Sequence, residues 1–292
     1  MEIITQLGVR RGEDHETFCE DFAVEFENEK YHYGVILDGC SSGIDSHFAS
    51  SLFGKIFNQL FRETVGEDKT LFETPIKEAT FIMIEFYQKL STIKESLGLS
   101  LSELHSTIIF SVYNKEDRSL FVYNFGDGVI AVGDHVIELE NTAYDNPNAP
   151  HYFVNDTLGQ NLSEKDFSLW LHMHYGQRYF QDVSNFMIAS DGLTTFKLRS
   201  GFSPEKEKVF EFFLNNNWLA GKIDKKGKKV PVISRKINIL FDGVGQKNGN
   251  PFERGEKIIH SDDLSIIRVF QTEVLEPKES IQPDIEIVES EL

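Results

Sequence analysis

Four aspartates stand at the ends of apolar runs, each beside small or polar turn residues. They are Asp38 in Gly34-Val35-Ile36-Leu37-Asp38-Gly39, Asp127 in Phe125-Gly126-Asp127-Gly128, Asp191 in Met187-Ile188-Ala189-Ser190-Asp191-Gly192, and Asp262 in His260-Ser261-Asp262-Asp263. Taken singly, each reads as a turn, because glycine tolerates positive φ and aspartate bonds to nearby backbone. Four in one context point to a shared purpose. Carboxylates brought together repel unless a cation neutralises them. Oxygen-only donors select hard cations such as Mg²⁺, Mn²⁺ or Ca²⁺. A glycine after the aspartate also leaves its own carbonyl accessible to a cation. The residue types lead as far as a carboxylate metal site and no further.

The elements that would carry these aspartates are legible as periodicity. Glu2–Val9, Phe22–Glu27 and Tyr31–Leu37 read as strands, the last two split by the polar break Asn28-Glu29-Lys30. Phe48, Leu52, Ile56, Leu60 and Phe61 lie at helical spacing, as do Phe72, Ile76, Ala79, Met83, Phe86, Tyr87, Leu90 and Ile93. The period then shortens. Thr107–Tyr113 and Leu120–Phe125 are nearly continuous apolar runs around the turn Asn114–Ser119, which predicts a hairpin buried on both faces. Val129–Val132, His135–Leu139, Phe186–Ala189 and Leu264–Phe270 read as further strands, and Val209–Leu219 and Ile233–Leu240 as helices. Residues 140–165, polar and rich in Asn, read as an irregular surface excursion and as the first candidate for a substrate flap. The basic loop Lys222–Lys229 is the second, read as solvated or as an attraction for an acidic partner. Segregated strands and helices indicate an α+β fold. Strands buried on both faces favour two stacked sheets with helices outside.

The chain has 292 residues, 47 acidic and 29 basic, for a formal net charge of −18. That balance disfavours nucleic acid and anionic membranes as partners, and suits divalent cations. Two cysteines, Cys19 and Cys40, are too few for a disulfide framework or a cysteine zinc site. The N-terminus lacks the features of a signal peptide, and no apolar run approaches the ~18 residues of a membrane span. The expectation is a cytoplasmic, reduced, monomeric protein. Residues 271–292, Glu-rich with two prolines, are expected to form a mobile acidic tail, with Ile285–Val288 as a partner-binding alternative.

The aspartate set resembles the metal-dependent serine/threonine protein phosphatases of the 2C type, in particular the compact bacterial members. That family carries an Asp-Gly-x-x-Gly-like segment after a buried strand, here Asp38-Gly39-Cys40-Ser41-Ser42-Gly43. It carries a Gly-Ser/His-Thr strand and then a Gly-Asp turn, here His105-Ser106-Thr107 and Gly126-Asp127-Gly128. An apolar-Ser-Asp-Gly segment follows, here Ile188-Ala189-Ser190-Asp191-Gly192. The last is Asp-Asn/Asp-x-Ser/Thr before a β run, here Asp262-Asp263-Leu264-Ser265. An acidic pair, Glu20-Asp21, stands near the start. The motifs keep the family's order across roughly residues 8–270.

The resemblance implies a four-layer αββα sandwich, two stacked antiparallel sheets flanked by helices, filling a catalytic domain over residues 1–270. It implies two divalent cations, Mn²⁺ or Mg²⁺, with Asp38 bridging both. The Gly39 carbonyl would complete one cation's ligands, and Asp191 and Asp262 would hold the other. Glu20 and Asp21 would orient bound waters, and Asp127 matches the position of a third, weaker cation. Arg10 and Arg11 are the candidates for gripping phosphate, by their forked donors, with a plain surface charge as the other reading of Arg10. The implied reaction is hydrolysis of phosphoserine or phosphothreonine in a protein substrate by metal-activated water, with no phosphoenzyme. A phosphatase-like regulatory module and a phosphatase of small metabolites remain the alternatives. One position departs from the family: many members have His after Asp-Gly, proposed as the general acid, and here that residue is Cys40. A thiol of ordinary pKa is a poor substitute, and Cys40 reads as a small packing residue. His15 reads as structural or exposed, with a place near the site as the alternative, and His47 and His105 read as packing or capping residues.

Overall fold

The structure is a computed structural model and describes residues 2–15, 17–40, 45–64, 72–139, 142–143, 146–173, 176–198, 206–214, 233–234, 236–237, 258–260 and 262–272. In chain order the elements are β1 (Glu2–Arg10), β2 (Asp21–Glu27), β3 (Tyr31–Asp38), α1 (Ser46–Thr64), α2 (Pro75–Leu97), β4 (Ile108–Asn114), β5 (Leu120–Phe125), β6 (Gly128–Val132) and β7 (His135–Leu139). There follow β8 (Thr142–Ala143), β9 (Asn146–Pro150), α3 (Phe153–Asp156), α4 (Glu164–Met173), β10 (Gln177–Phe180), β11 (Asn185–Ala189), β12 (Phe196–Leu198), α5 (Lys206–Leu214), β13 (Ile258–His260) and β14 (Leu264–Thr272).

Ten strands make two five-stranded antiparallel sheets, ordered β1-β14-β11-β6-β7 and β10-β5-β4-β3-β2. Their facing surfaces share an apolar layer. Ile36, Ile109, Val122 and Tyr113 come from one sheet, and Ile130, Phe186, Ile188, Ile267 and Val269 from the other. The sheets approach closely at Gly34, where an added Cβ would press on Ser111 Oγ and on Ile267 of the opposite sheet. The outer faces are covered by helices: α1, α2 and α4 pack on the sheet that holds β3 and β4, and α5 on the sheet that holds β6 and β11. This is the α+β architecture of four layers, and it explains why β4 and β5 are buried at every position.

The α1–α2 layer rests on stacked phenylalanines. Phe57 lies on Phe86 at 4.4 Å and 14°, and Phe110 of β4 sits 5.5 Å from Phe57. Helix α2 begins later than its apolar spacing predicts. Thr74 caps it, Pro75 opens it with a fixed φ and no orphan N–H, and Phe72 stays outside, its carbonyl accepting from Tyr31 Oη at 3.0 Å. Gly98, at φ 67°, ends it in the left-handed region that glycine enters without strain.

The stretch 140–165 is less irregular than its composition suggests. It holds the β8–β9 hairpin and α3, and Phe153, Val154 and Leu158 are buried in the α1–α2 core. Helix α4 and strand β10 went unnoticed in the sequence. Ser163 starts α4 by a reciprocal cap with Asp166, and Phe167 and Leu171 bury one face. Gln271 and Thr272 continue the last strand, pairing with Ile3 and Glu2. The basic loop 222–229, the Ile285–Val288 segment and residues 273–292 lie outside the described residues. Of the two later helices, Lys206–Leu214 is helical, as are Ile233, Ser234, Lys236 and Ile237, and the rest of both spans lies outside the described residues. Ile233 and Ile237 pack over Gly8 of β1.

Candidate active site

The ends of β2, β3, β6, β11 and β14 bring the acidic residues together. Asp21 opens β2 directly opposite Asp38, the last residue of β3. Gly39 then bridges Ser106 and donates to the Glu20 carbonyl at 3.1 Å, while Asp38 receives Thr107 N–H on its carbonyl at 2.8 Å and donates to Thr107 Oγ1 at 3.2 Å. Asp127 sits between Gly126 (φ 100°) and Gly128 (φ 140°), a reversal only glycines accept without strain. A Cβ at Gly128 would press on Ala189 O, so the turn that carries Asp127 lies against the strand that leads to Asp191.

Asp191 opens a short 3₁₀ turn after β11, and Asp262 precedes β14. Two contacts tie these segments. Ser190 N–H donates to Ser265 O at 3.1 Å, and Ser265 N–H donates to Ser190 Oγ at 3.0 Å. A Cβ on Gly192 would collide with the Asp263 carbonyl, so only glycine lets the two chains lie this close.

The carboxylates lie close enough to raise one another's pKa. Asp38 is held well above its ordinary pKa by burial, and then by the charges of Asp21, Asp191, Asp262 and Asp127. Asp191 is raised by burial and by Asp127 and Asp262, with a hydrogen bond shared with Asp38 opposing. Asp21 is raised by burial despite a 2.7 Å bond from Ser190 Oγ, with Asp263 and Asp191 adding to the rise. Burial also raises Asp127 and Asp262. One buried oxygen on each of Asp21 and Asp191 has no hydrogen-bond partner. Among the described residues no three His, Cys, Asp or Glu side chains are drawn together tightly enough to enclose an ion as they stand. The donor set still fits one: it is all oxygen, mutually repelling, and carries unpaired buried lone pairs, which suits a hard divalent cation.

Two residues prominent here were not singled out as site residues in the sequence. Asp263 is fully buried, and its carboxylate accepts from Gly12 N–H at 2.6 Å and from Glu20 N–H. It thereby fastens the loop between β1 and β2 to the start of β14. His15, read as structural or exposed with a place near the site as the alternative, lies at the site. Its Nδ1 is 2.8 Å from Asp263 Oδ2, close in distance without the alignment of a hydrogen bond, and its Nε2 is 3.6 Å from Asp262 and 3.9 Å from Glu20. Burial opposes its protonation, but Asp263, Glu20 and Asp262 outweigh that and raise its pKa.

Arg10 is the last residue of β1, paired with Leu264, two residues from Asp262. Arg11 turns away to donate to Thr17 O at 3.3 Å. His47 stacks on Phe18 at 4.2 Å. Cys40 packs against the α1–α2 core and also meets His105 and Tyr152.

The architecture and the motifs agree with comparisons to known proteins. The family model described as Protein phosphatase 2C matches residues 10–224, well over half of the chain. No curated protein matches in sequence. Among solved structures, the serine/threonine phosphatase of S. agalactiae superposes with a TM-score of 0.51 at 14% identity, covering 93% of this chain and 100% of that one. Serine/threonine phosphatase Stp1 from Staphylococcus aureus gives 0.54 at 12% identity, with 94% and 96% covered. The chain spans 63% of a Bacillus subtilis SpoIIE chain that holds a PP2C phosphatase domain and a fragment of a regulatory domain, with 92% of this chain covered, 16% identity and a TM-score of 0.46. At these identities the structures speak for the fold, and the family rests on the match over residues 10–224: the chain belongs to the protein phosphatase 2C family.

Proposed function

We propose that this protein is a Mg²⁺- or Mn²⁺-dependent phosphatase that removes phosphate from serine or threonine of a protein substrate. The observation that carries the reading is the convergence of the partly buried carboxylates Asp38, Asp191 and Asp262, at the ends of β3 and β11 and the start of β14, where each is raised in pKa by desolvation and by neighbouring charge. On this reading Asp38 would face two cations, with the Gly39 carbonyl serving one and Asp191 and Asp262 the other, and Asp127 would serve a third, more weakly. When bound, the cations supply Lewis acidity and an acidified water. The chain's own residues do the rest. Glu20 and Asp21 orient water, Asp21 held in place by Ser190. The Arg10 guanidinium offers forked donors to the phosphoryl oxygens. Asp263 and His15 hold the Glu20 and Asp262 segments in register. No helix among the described residues is long and apolar enough to cross a membrane. Neither Cys19 nor Cys40 is in a disulfide, which suits work in the reducing cytoplasm.

The test is hydrolysis of a phosphoserine peptide and of p-nitrophenyl phosphate with added Mn²⁺. Activity should vanish in EDTA and in Asp38→Asn. Full turnover in EDTA would overturn the metal-dependent reading.

A further inference from the structure

Beside the carboxylates stands a second cluster of polar side chains that the roles above leave unused. His105 follows the 3₁₀ turn Ser102–Leu104 and directly precedes Ser106, the residue that bridges Gly39. Its carbonyl accepts Cys40 N–H at 3.2 Å. Its ring lies flat on Tyr152, at 4.5 Å and 9°. Its Nε2 is 3.1 Å from Asn155 Oδ1, which makes Nε2 a donor there. The ring also hydrogen-bonds the Cys40 thiol, and Tyr152 hydrogen-bonds the same thiol. Tyr152 in turn feels the charges of Asp38 and Asp127, so the cluster borders the carboxylates. The imidazole is thus fixed in plane by stacking and in rotation by its hydrogen bonds, yet stays partly open to solvent.

A serine or threonine oxygen leaves phosphorus poorly as an alkoxide and needs a proton as the bond breaks. The four cation-facing aspartates are committed elsewhere, and His15 is engaged by Asp262, Asp263 and Glu20. Resting on the phosphatase reading, we propose that His105 is the proton donor to the departing serine or threonine oxygen. In the step, the water oxygen forms the new bond to phosphorus and the bond from phosphorus to the side-chain oxygen breaks. That oxygen takes a ring proton from His105 and leaves as the hydroxyl. The proton lost by the water returns the imidazole to its starting state through solvent. The substrate oxygen replaces one of the acceptors that the ring already has. Those acceptors, first the Cys40 sulfur and then Asn155, favour the protonated ring and raise its pKa.

The test compares two esters. His105→Gln keeps a hydrogen-bonding group toward Asn155 but cannot act as an acid. It should lose about 10²-fold or more in kcat/KM on a phosphoserine peptide. On p-nitrophenyl phosphate, whose phenolate leaves without a proton, it should stay within about threefold of wild type. Asn155→Ala, at an exposed position, should show the same selective loss to a smaller degree, and it carries the test should His105→Gln fail to fold. Equal losses on both esters, or none on the peptide, overturn the assignment while leaving the phosphatase reading intact. A wild-type protein that hydrolyses neither ester overturns both.

Discussion

At the residue scale, the site separates groups that would hold cations from groups that hold the holders. Asp38→Asn keeps the shape and removes a charge, so it should bind Mn²⁺ poorly and lose at least ~10²-fold in turnover. Asp263→Asn is the contrasting case. Its two carboxylate oxygens receive Gly12 and Glu20 N–H groups, and an amide offers one acceptor where two are needed. The expected cost is about 1–3 kcal/mol of stability, from a buried donor left unpaired. The Mn²⁺ affinity should weaken about 10–100-fold, as when an outer partner of a ligand is lost. Titration calorimetry and urea unfolding on the two variants read these effects, and an unchanged stability in Asp263→Asn would refute the fastening role. The difference between the two aspartates also marks how much of the site the chain discloses. Asp38, Asp127 and Asp191 announce themselves because each stands at a strand end beside glycine. Asp263 and His15 do not, because their partners are set by folding: Gly12 and Asp263 are 251 residues apart.

At the element scale, strand ends meet because glycines let backbones touch. Gly192→Ala would drive a methyl into the Asp263 carbonyl and part the Asp191 and Asp262 segments. Overpacking of this kind costs roughly 1–3 kcal/mol. The variant should lose Mn²⁺-dependent turnover beyond what its lowered stability explains, measured well below its melting temperature; wild-type turnover at that temperature would dismiss the close approach as unimportant. Buried strands such as β4 and β5 were legible because both faces are covered and the apolar runs are continuous. Helices α3 and α4 hid inside a polar stretch, where a few aromatics, Phe153, Phe167 and Trp170, do the packing amid solvated neighbours. The Ser163–Asp166 cap was the available signal. The buried cations of the α5 layer left no such trace. Lys236 Nζ and the Arg268 guanidinium donate to the carbonyls of Phe212, Phe213 and Leu214 at the helix C-terminus, which only the assembled layer defines.

At the scale of the whole molecule, a stack of two sheets that gathers acids at one end must be stabilised against their repulsion. The sign of the resulting pH dependence follows from linkage. Asp21 and Asp191 rise from 3.8 to about 7 on folding, so between those values the metal-free folded chain binds more protons than the unfolded one. Its stability therefore falls as pH rises through this window, by an amount on the order of a few kcal/mol, and the loss is complete above about 7. His15, also raised, acts in the same direction. Lys236 opposes them only above its lowered value of about 7, where the folded chain has shed a proton that the unfolded chain keeps. A cation that takes the place of those protons reverses the trend. At a hundred times its dissociation constant, Mn²⁺ should add about 2.7 kcal/mol at neutral pH. At pH 5 it should add much less, because protons compete for the same oxygens. Urea unfolding in EDTA and in Mn²⁺ across pH 5 to 8 reads both effects. Metal-free stability that climbs from pH 5 to 7, or an Mn²⁺ increment that is as large at pH 5 as at pH 7, would contradict the idea that these aspartates form one cation-bound unit.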